Sequence, residues 1–434
     1  MDKESKQFLS RNGLAGAEAS HGAPSGLKIA LYYPWIYLTS GAERILVELL
    51  RRSRHDWTLF TSHYEPDQTF PEIRQLPVVE LKRVSVKRDI LSSAQAAFRI
   101  MTLRLPLEDF DAALIICEGL GDMLLFRNTE KPCVCYCLTP LRAAFDPVYM
   151  ARSFEQRGTL GRLLLSAGLK IFRAVDRMAW KRYAAIIYLS REALRRAVDG
   201  GLAGPGPHDI VYAGAGLRGD RPSDTFEPFF LIAGRIMWTK NIELGIRSFQ
   251  EFIAVFPEFS HYRLVIAGIV DTKSRPYFDE LCKLAVGWPQ IEFRIAPSDA
   301  DLCDLYRRCS LVIFSALNED MGIVPIEAMA FGKPVVSVNQ AGPKETIEDG
   351  VQGLLVDPDH KLMAAAIAGL VGDPARLRSM GRAGFDRARL FTWEHFVERI
   401  DDVVERVALA RGAKRRFPAS SEARDEVATE RRGA

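Results

Sequence analysis

Leu27-Lys28-Ile29-Ala30-Leu31-Tyr32-Tyr33, then Thr39-Ser40-Gly41-Ala42, then Glu43-Arg44-Ile45-Leu46-Val47-Glu48-Leu49-Leu50, is the stretch on which the fold reading turns. A β-prone run gives way to a turn-rich loop, and the loop to apolar residues recurring at helical spacing. Strand, glycine loop and helix in that order open a nucleotide-fold half. Further short apolar runs follow at 57–61, 112–117, 133–137 and 185–188. Helical segments separate most of them, which predicts a parallel sheet.

After about Leu217 the pattern restarts, with strands predicted at 229–233, 263–267, 291–295, 311–314, 334–338 and 353–356. Helices are predicted between them at 242–255, 277–285, 299–307 and 324–331. The chain of 434 residues is too long for one ordinary core. The fold class expected is α/β: two Rossmann-like, doubly wound parallel-sheet domains facing a central cleft. Ligands of such sheets bind beyond the carboxyl ends of the strands. The divisions expected are a disordered lead over 1–26, an N-terminal domain over 27–215 and a C-terminal domain over 216–391. A C-terminal helix over 392–412, packing back on the N-terminal domain, and a charged tail over 413–434 complete the chain. The Gly-rich 200–216 stretch is the expected hinge.

Composition narrows the function. Hydrophobic residues make up 48% and charged residues 26%, as in ordinary globular proteins, and a net charge of +3 gives no reason to expect nucleic acid as a partner. No apolar run is long enough to span a bilayer, and the N-terminus lacks the apolar stretch of a signal peptide. Seven scattered cysteines do not form a disulfide framework and fit reduced, cytoplasmic thiols. Cys133, Cys135 and Cys137 alternate on one strand face and read as small packing residues beneath a helix.

The clearest chemistry lies in the second half. Asn318-Glu319-Asp320-Met321-Gly322-Ile323-Val324-Pro325-Ile326-Glu327 follows a strand directly. Gly322 permits close approach of backbone to ligand. Pro325 suits a helix start, whose free amides hold anions or hydroxyls. Two carboxylates, Glu319 before the helix and Glu327 within it, reach different parts of an extended ligand, although the spacing also fits an ordinary helix with acids near its N-terminus. Upstream, Gly234-Arg235-Ile236-Met237-Trp238-Thr239-Lys240-Asn241 places two cations beyond another strand end, an arrangement suited to a diphosphate.

These segments resemble glycosyltransferase family 4. Glu319 and Glu327 match its double-glutamate motif, Gly234-Arg235 with Lys240 its diphosphate loop, and Ser40-Gly41-Ala42-Glu43-Arg44 its N-terminal glycine loop. Gly332-Lys333-Pro334-Val335-Val336, Gly342-Pro343-Lys344-Glu345-Thr346 and Phe391-Thr392-Trp393-Glu394 also fall at family positions. The resemblance implies the GT-B fold and retaining, metal-independent transfer from a nucleotide-diphosphate sugar, with no cofactor beyond that donor. It assigns Arg235, Lys240 and Glu319 to catalysis. Gly41, Gly234, Met321, Gly322, Ile323, Val324 and Glu327 are assigned to donor binding. The motif around Glu319 is most similar to that of mannosyltransferases using GDP-mannose, with a glycan or lipid-linked acceptor. Two positions depart from the pattern. Leu138 stands where relatives carry a histidine in Tyr136-Cys137-Leu138-Thr139-Pro140-Leu141-Arg142, and Ser40 stands where a glycine is usual. Loss of that histidine leaves open a catalytically degenerate, donor-binding subunit. Asp299-Ala300-Asp301 and Asp357-Pro358-Asp359 imitate a metal-binding Asp-x-Asp but read as a helix cap and a turn.

Two segments are basic and apolar together. Lys82, Arg83, Lys87 and Arg88 precede Leu91 and Phe98. Arg162, Lys170, Arg173, Arg177, Lys181 and Arg182 are interleaved with Leu163, Leu164, Ile171 and Trp180. Basic amphipathic helices lie on anionic bilayers, and the same pattern fits a helix buried on one side. The expectation is a cytoplasmic protein in peripheral contact with the inner membrane face.

Overall fold

A computed structural model describes residues 26–86, 90–155, 157–204, 208–216 and 219–416. The lead before residue 26, Lys87 and Arg88, and the tail beyond 416 lie outside the described residues.

The N-terminal half runs β1 (Lys28–Tyr32), α1 (Gly41–Arg52), β2 (Asp56–Thr61), β3 (Val78–Glu80), α2 (Ile90–Thr102), β4 (Ala112–Cys117) and β5 (Cys133–Cys137). Three helices follow, α3 (Arg142–Phe145), α4 (Pro147–Glu155) and α5 (Thr159–Trp180), then β6 (Ala185–Tyr188), α6 (Arg191–Asp199) and β7 (Asp209–Ile210). The second half runs β8 (Phe229–Ala233), α7 (Ile242–Val255), β9 (Arg263–Gly268), α8 (Arg275–Leu284), β10 (Ile291–Ile295), α9 (Asp299–Arg308) and β11 (Leu311–Phe314). It closes with α10 (Ile323–Ala330), β12 (Val335–Val338), α11 (Pro343–Thr346), β13 (Gly353–Val356), α12 (His360–Val371), α13 (Pro374–Ala388) and α14 (Trp393–Arg416).

Both sheets are parallel throughout, in the orders β3-β2-β1-β4-β5-β6-β7 and β10-β9-β8-β11-β12-β13. Alternation of side chains between two covered faces explains why inner strands such as β4, β8 and β11 are apolar at every position. In β1, Ile29 and Leu31 enter one buried cluster while Ala30 and Tyr32 enter the one behind the sheet. In β8, Phe229, Leu231 and Ala233 face one cluster and Phe230 and Ile232 the other. Each such leucine, isoleucine or phenylalanine contributes about 1.5–3 kcal/mol by leaving water.

Two edge strands, β3 and β7, escape the sequence reading because strands of three and two residues carry no measurable periodicity. The second of them lies inside the expected hinge, pairing Asp209 with Ile187. Within the same stretch Gly214 is clamped under Trp393, where a Cβ would fall 2.6 Å from the indole. The two crossings between domains lie side by side, with Ala215 N–H donating to the Phe391 carbonyl at 3.0 Å. From the second crossing α14 returns to the first domain. There Ser53 Oγ donates to Asp401 at 2.6 Å and the Tyr136 and Phe396 rings meet at 5.4 Å.

Candidate active site in the interdomain cleft

Each sheet reverses its strand order once, between β1 and β4 and between β8 and β11. Such switch points open a crevice at the strand ends. The loop after β1 leads to Gly41, that after β8 holds Gly234 to Lys240, and that after β11 holds Asn318 to Gly322. Topology therefore delivers three of the sequence motifs to the two crevices.

The two C-terminal loops are tied to each other. Leu317 N–H donates to the Thr239 carbonyl at 2.8 Å, and Lys240 Nζ meets Glu319 Oε2 at 2.6 Å. Burial opposes ionisation of Glu319, but the charges of Lys240, Arg142 and Arg235 outweigh it and hold the carboxyl below its usual range. Glu319 is thus an anion at neutral pH, able to accept from sugar hydroxyls. Arg235 is half-buried beside it. Glu319's carbonyl accepts from Gly342 N–H at 2.8 Å, a contact only glycine permits, since a Cβ there would sit 2.6 Å from the Asp320 carbonyl.

Helix α10 begins at Ile323 behind Gly322, whose φ of +84° favours glycine and which offers no side-chain cap to the first-turn amides. Met321 is buried beneath this turn. A Cβ on Gly41 would lie 3.2 Å from Ile323 Cδ1, and one on Gly234 3.7 Å from Val324 Cγ2. Gly41, Gly234, Ile323 and Val324, expected separately from sequence, thus meet at one helix start across the cleft. Glu327, one turn further on, is half-buried and accepts from the Tyr306 hydroxyl at 3.1 Å.

The N-terminal wall adds groups that sequence reasoning missed. Glu43, in the first turn of α1, is buried and its carboxyl is pushed up to about 7, by burial first and then by Glu118. Ser40, which stands where a glycine is usual, is the N-cap of α1, accepting from Ala42 N–H at 3.3 Å and donating its hydroxyl to Glu43. Tyr33 donates to Glu118 at 2.6 Å. The Ser-Gly-Ala-Glu-Arg run was the signal available for Glu43. Leu138 is 7% exposed and belongs to the apolar core, its N–H bonded to the Cys117 carbonyl at 2.9 Å.

Three expectations change in detail. The cap of α9 is Ser298, in a capping box with Asp301, while Asp359 itself caps α12 rather than ending a turn. Cys133, Cys135 and Cys137 are buried as expected. The fold also brings Cys117 and Asp122 to Cys135, with ligand atoms within 4.8 Å of one another, a grouping able to hold a metal ion. Burial raises the Cys117 and Cys135 thiols well above the ordinary range, and Cys117 donates to Asp122 at 2.7 Å. Finally, two arginines of α5 are engaged with backbone: Arg173 is half-buried, and Arg177, though exposed, is bonded as well. Arg173 binds the Ala144 carbonyl at 2.8 Å and Arg177 the Gly200 carbonyl at 2.8 Å.

Comparison with known proteins agrees with this architecture. Residues 217–387 match the family model described as glycosyl transferases group 1. The chain resembles the GT-B glycosyltransferases. An alpha-1,3/1,6-mannosyltransferase ALG2 of Rhizomucor pusillus is 26% identical over 430 residues, covering 86% of this chain and 90% of the relative. A D-inositol 3-phosphate glycosyltransferase of Rhodococcus opacus (strain B4) is 33% identical over 210 residues, covering 44% of this chain and 46% of the relative. Among solved structures, Anabaena Alr3699/HepE in complex with UDP and glucose superposes with a TM-score of 0.66 at 17% identity, covering 87% of this chain and 99% of that one. WaaG, a glycosyltransferase involved in lipopolysaccharide biosynthesis, gives 0.61 at 15% identity, covering 87% and 99%. Two parallel-sheet α/β halves in the GT-B arrangement are therefore common ground between this chain and its structural neighbours.

Proposed function

We propose that this chain is a retaining hexosyltransferase that moves mannose from GDP-mannose to a glycan or lipid-linked acceptor, with no metal and no cofactor beyond the donor. The observation carrying the reading is the meeting of Gly41 and Gly234 with Ile323 and Val324 at the start of α10, together with the Lys240–Glu319 pair in the loops leading to it. The lean to mannose rests on the motif around Glu319 and on a relative named as a mannosyltransferase that aligns along 86% of the chain.

In this reading the amides of Ile323 and Val324 and the cations of Arg235 and Lys240 hold the diphosphate. Glu319 accepts from hydroxyls of the sugar, and Glu327 from the ribose. The acceptor hydroxyl attacks the anomeric carbon on the face the diphosphate leaves. The C–O bond to the acceptor forms as that to phosphate breaks, and a departing phosphate oxygen takes the acceptor proton. Orientation and charge stabilisation are then the protein's whole share.

Calorimetric binding of GDP-mannose, UDP-glucose and UDP-N-acetylglucosamine to native chain and to Arg235→Ala tests the site. One donor bound, and lost in the variant, is the expected result; binding of none by folded protein refutes it. Leu138 favours a second reading, a donor-binding subunit without turnover. Donor that binds but is never consumed with a matched acceptor would favour that second reading.

The acceptor reading places the protein in the cytoplasm at the inner membrane face. Support comes from α5, where Leu160, Leu163, Leu164, Ile171 and Met178 are exposed, Leu163 and Ile171 to 67% each. At a rotation of about 100° per residue these five fall on one helix face. Lys170 and Lys181, both exposed, flank that stripe. Among the described residues no helix is long and apolar enough to cross a membrane.

A further inference from the structure

Asn318-Glu319-Asp320 is held from two sides. Glu319 turns its carboxylate to Lys240 in its own domain. Both of its neighbours are held by the other domain. The Asn318 carbonyl accepts from the guanidinium of Arg142 and, at 3.2 Å, from that of Arg196. The Asp320 carboxylate pairs with Arg196 and lies 3.7 Å from Arg142, and its carbonyl accepts from Ser190 Oγ at 2.5 Å.

Asn318 sits at φ +49°, in the left-handed region. That region is uncommon for a residue other than glycine, and asparagine enters it more readily than most. Here the two arginines grip the carbonyl of that turn. Both are fixed on their own domain before they reach across. Arg142 is bonded to Asp146 at 2.9 Å and lies 4.4 Å over the Tyr149 ring. Arg196, 2% exposed, is bonded to Glu192 at 3.1 Å and to Thr139 at 2.8 Å. Planar guanidinium forks so held set the direction of what they grip.

We infer that Arg142 and Arg196 are positioning residues for Glu319: closure of the cleft onto Asn318 and Asp320 imposes the loop conformation in which Glu319 meets the donor's sugar. Recognition of the sugar is thereby coupled to domain closure, whereas the nucleotide meets groups of the second domain, Glu327 among them, that need no such grip. The inference rests on the reading of Glu319 as the sugar ligand.

Small-angle X-ray scattering of the ligand-free chain, with calorimetry of GDP and of GDP-mannose, tests it on Arg142→Met and Asp320→Asn. The second variant leaves Arg196 its Glu192 partner, so it stays informative should the first fail to fold. Both variants should scatter with a larger radius of gyration than the native chain. GDP affinity should stay within about twofold, while GDP-mannose affinity falls on the order of tenfold, a usual size for coupling between sites. Unchanged scattering overturns the inference, as does an opened variant with native GDP-mannose affinity or an equal loss of both ligands. If the native chain binds no GDP-mannose, the donor reading fails by itself and scattering alone decides the closure.

Discussion

Replacing Glu43 with glutamine keeps the shape of the side chain and removes its titration. In the native chain this group is 1% exposed in the first turn of α1. Burial, then Glu118, push its carboxyl from 4.5 up to about 7 against the opposing pull of the Ser40 hydroxyl and Arg235. Between those two values the folded chain keeps a proton that the unfolded chain has released, so stability falls as pH rises from 4.5 to about 7. At about 1.4 kcal/mol per pH unit the loss amounts to about 3 kcal/mol. Glu43→Gln carries no such loss. It should match the native chain near the acidic end of that window and exceed it by about 3 kcal/mol above the window. For a unit of this size 1 kcal/mol moves Tm by about 2–4 °C, so the gap in Tm should widen by about 6–12 °C. Scanning fluorimetry across that range at fixed ionic strength reads it. A gap of the same size at both ends would refute a neutral, buried Glu43. The same titration matters to function, because Glu43 is uncharged only below about pH 7 and there leaves the charge of Arg235 for a diphosphate.

Three further outcomes are expected. Gly342→Ala drives a Cβ to 2.6 Å from the Asp320 carbonyl and Met321 Cα; it should cost about 1–3 kcal/mol in denaturant unfolding and more than about tenfold in donor turnover, and native turnover would sink the placement of that loop. Lys240→Met removes the strongest of the charges that hold Glu319 down, so the acidic limb of the rate profile should move to higher pH; an unmoved limb argues against Glu319 as the acting anion. Serine at Leu163, Leu164 and Ile171 together should weaken co-sedimentation with anionic vesicles, each side chain being worth up to about 1.5–3 kcal/mol when buried, whereas Arg173→Met should lower Tm and leave vesicle binding alone because its guanidinium serves the Ala144 carbonyl.

Much of the fold was legible because it is written in local period. Strand β1 could be read from its β-prone run and helix α1 from helical spacing, and the apolar run of β11 announced a strand buried on both faces. The motif residues were legible for a related reason: Gly41, Gly234, Gly322 and Glu319 act through the loop they occupy, and loop chemistry is short-range. Arg196 was not. On α6 it looks like one more solvated cation, yet that helix buries Glu192, Ala193, Arg196 and Ala197. Arg173 was hidden in the same way, since a basic residue on an amphipathic helix reads alike whether it faces water or a backbone carbonyl.

The sequence by itself determined two parallel α/β halves, the loops that follow β1, β8 and β11, and the glycines those loops require, because each depends on backbone sterics and side-chain period within a few residues. Only the tertiary structure decided that Arg142 reaches the Asn318 carbonyl across 176 residues, and Arg196 Asp320 across 124. The structure also decided that Glu43 lies buried and that Leu163 and Ile171 stay in the open. Those outcomes depend on how two finished domains dock. Burial and charge pairing between distant surfaces leave no periodic trace in either segment, so the groups that close the cleft around Glu319 become visible only when both halves are in place.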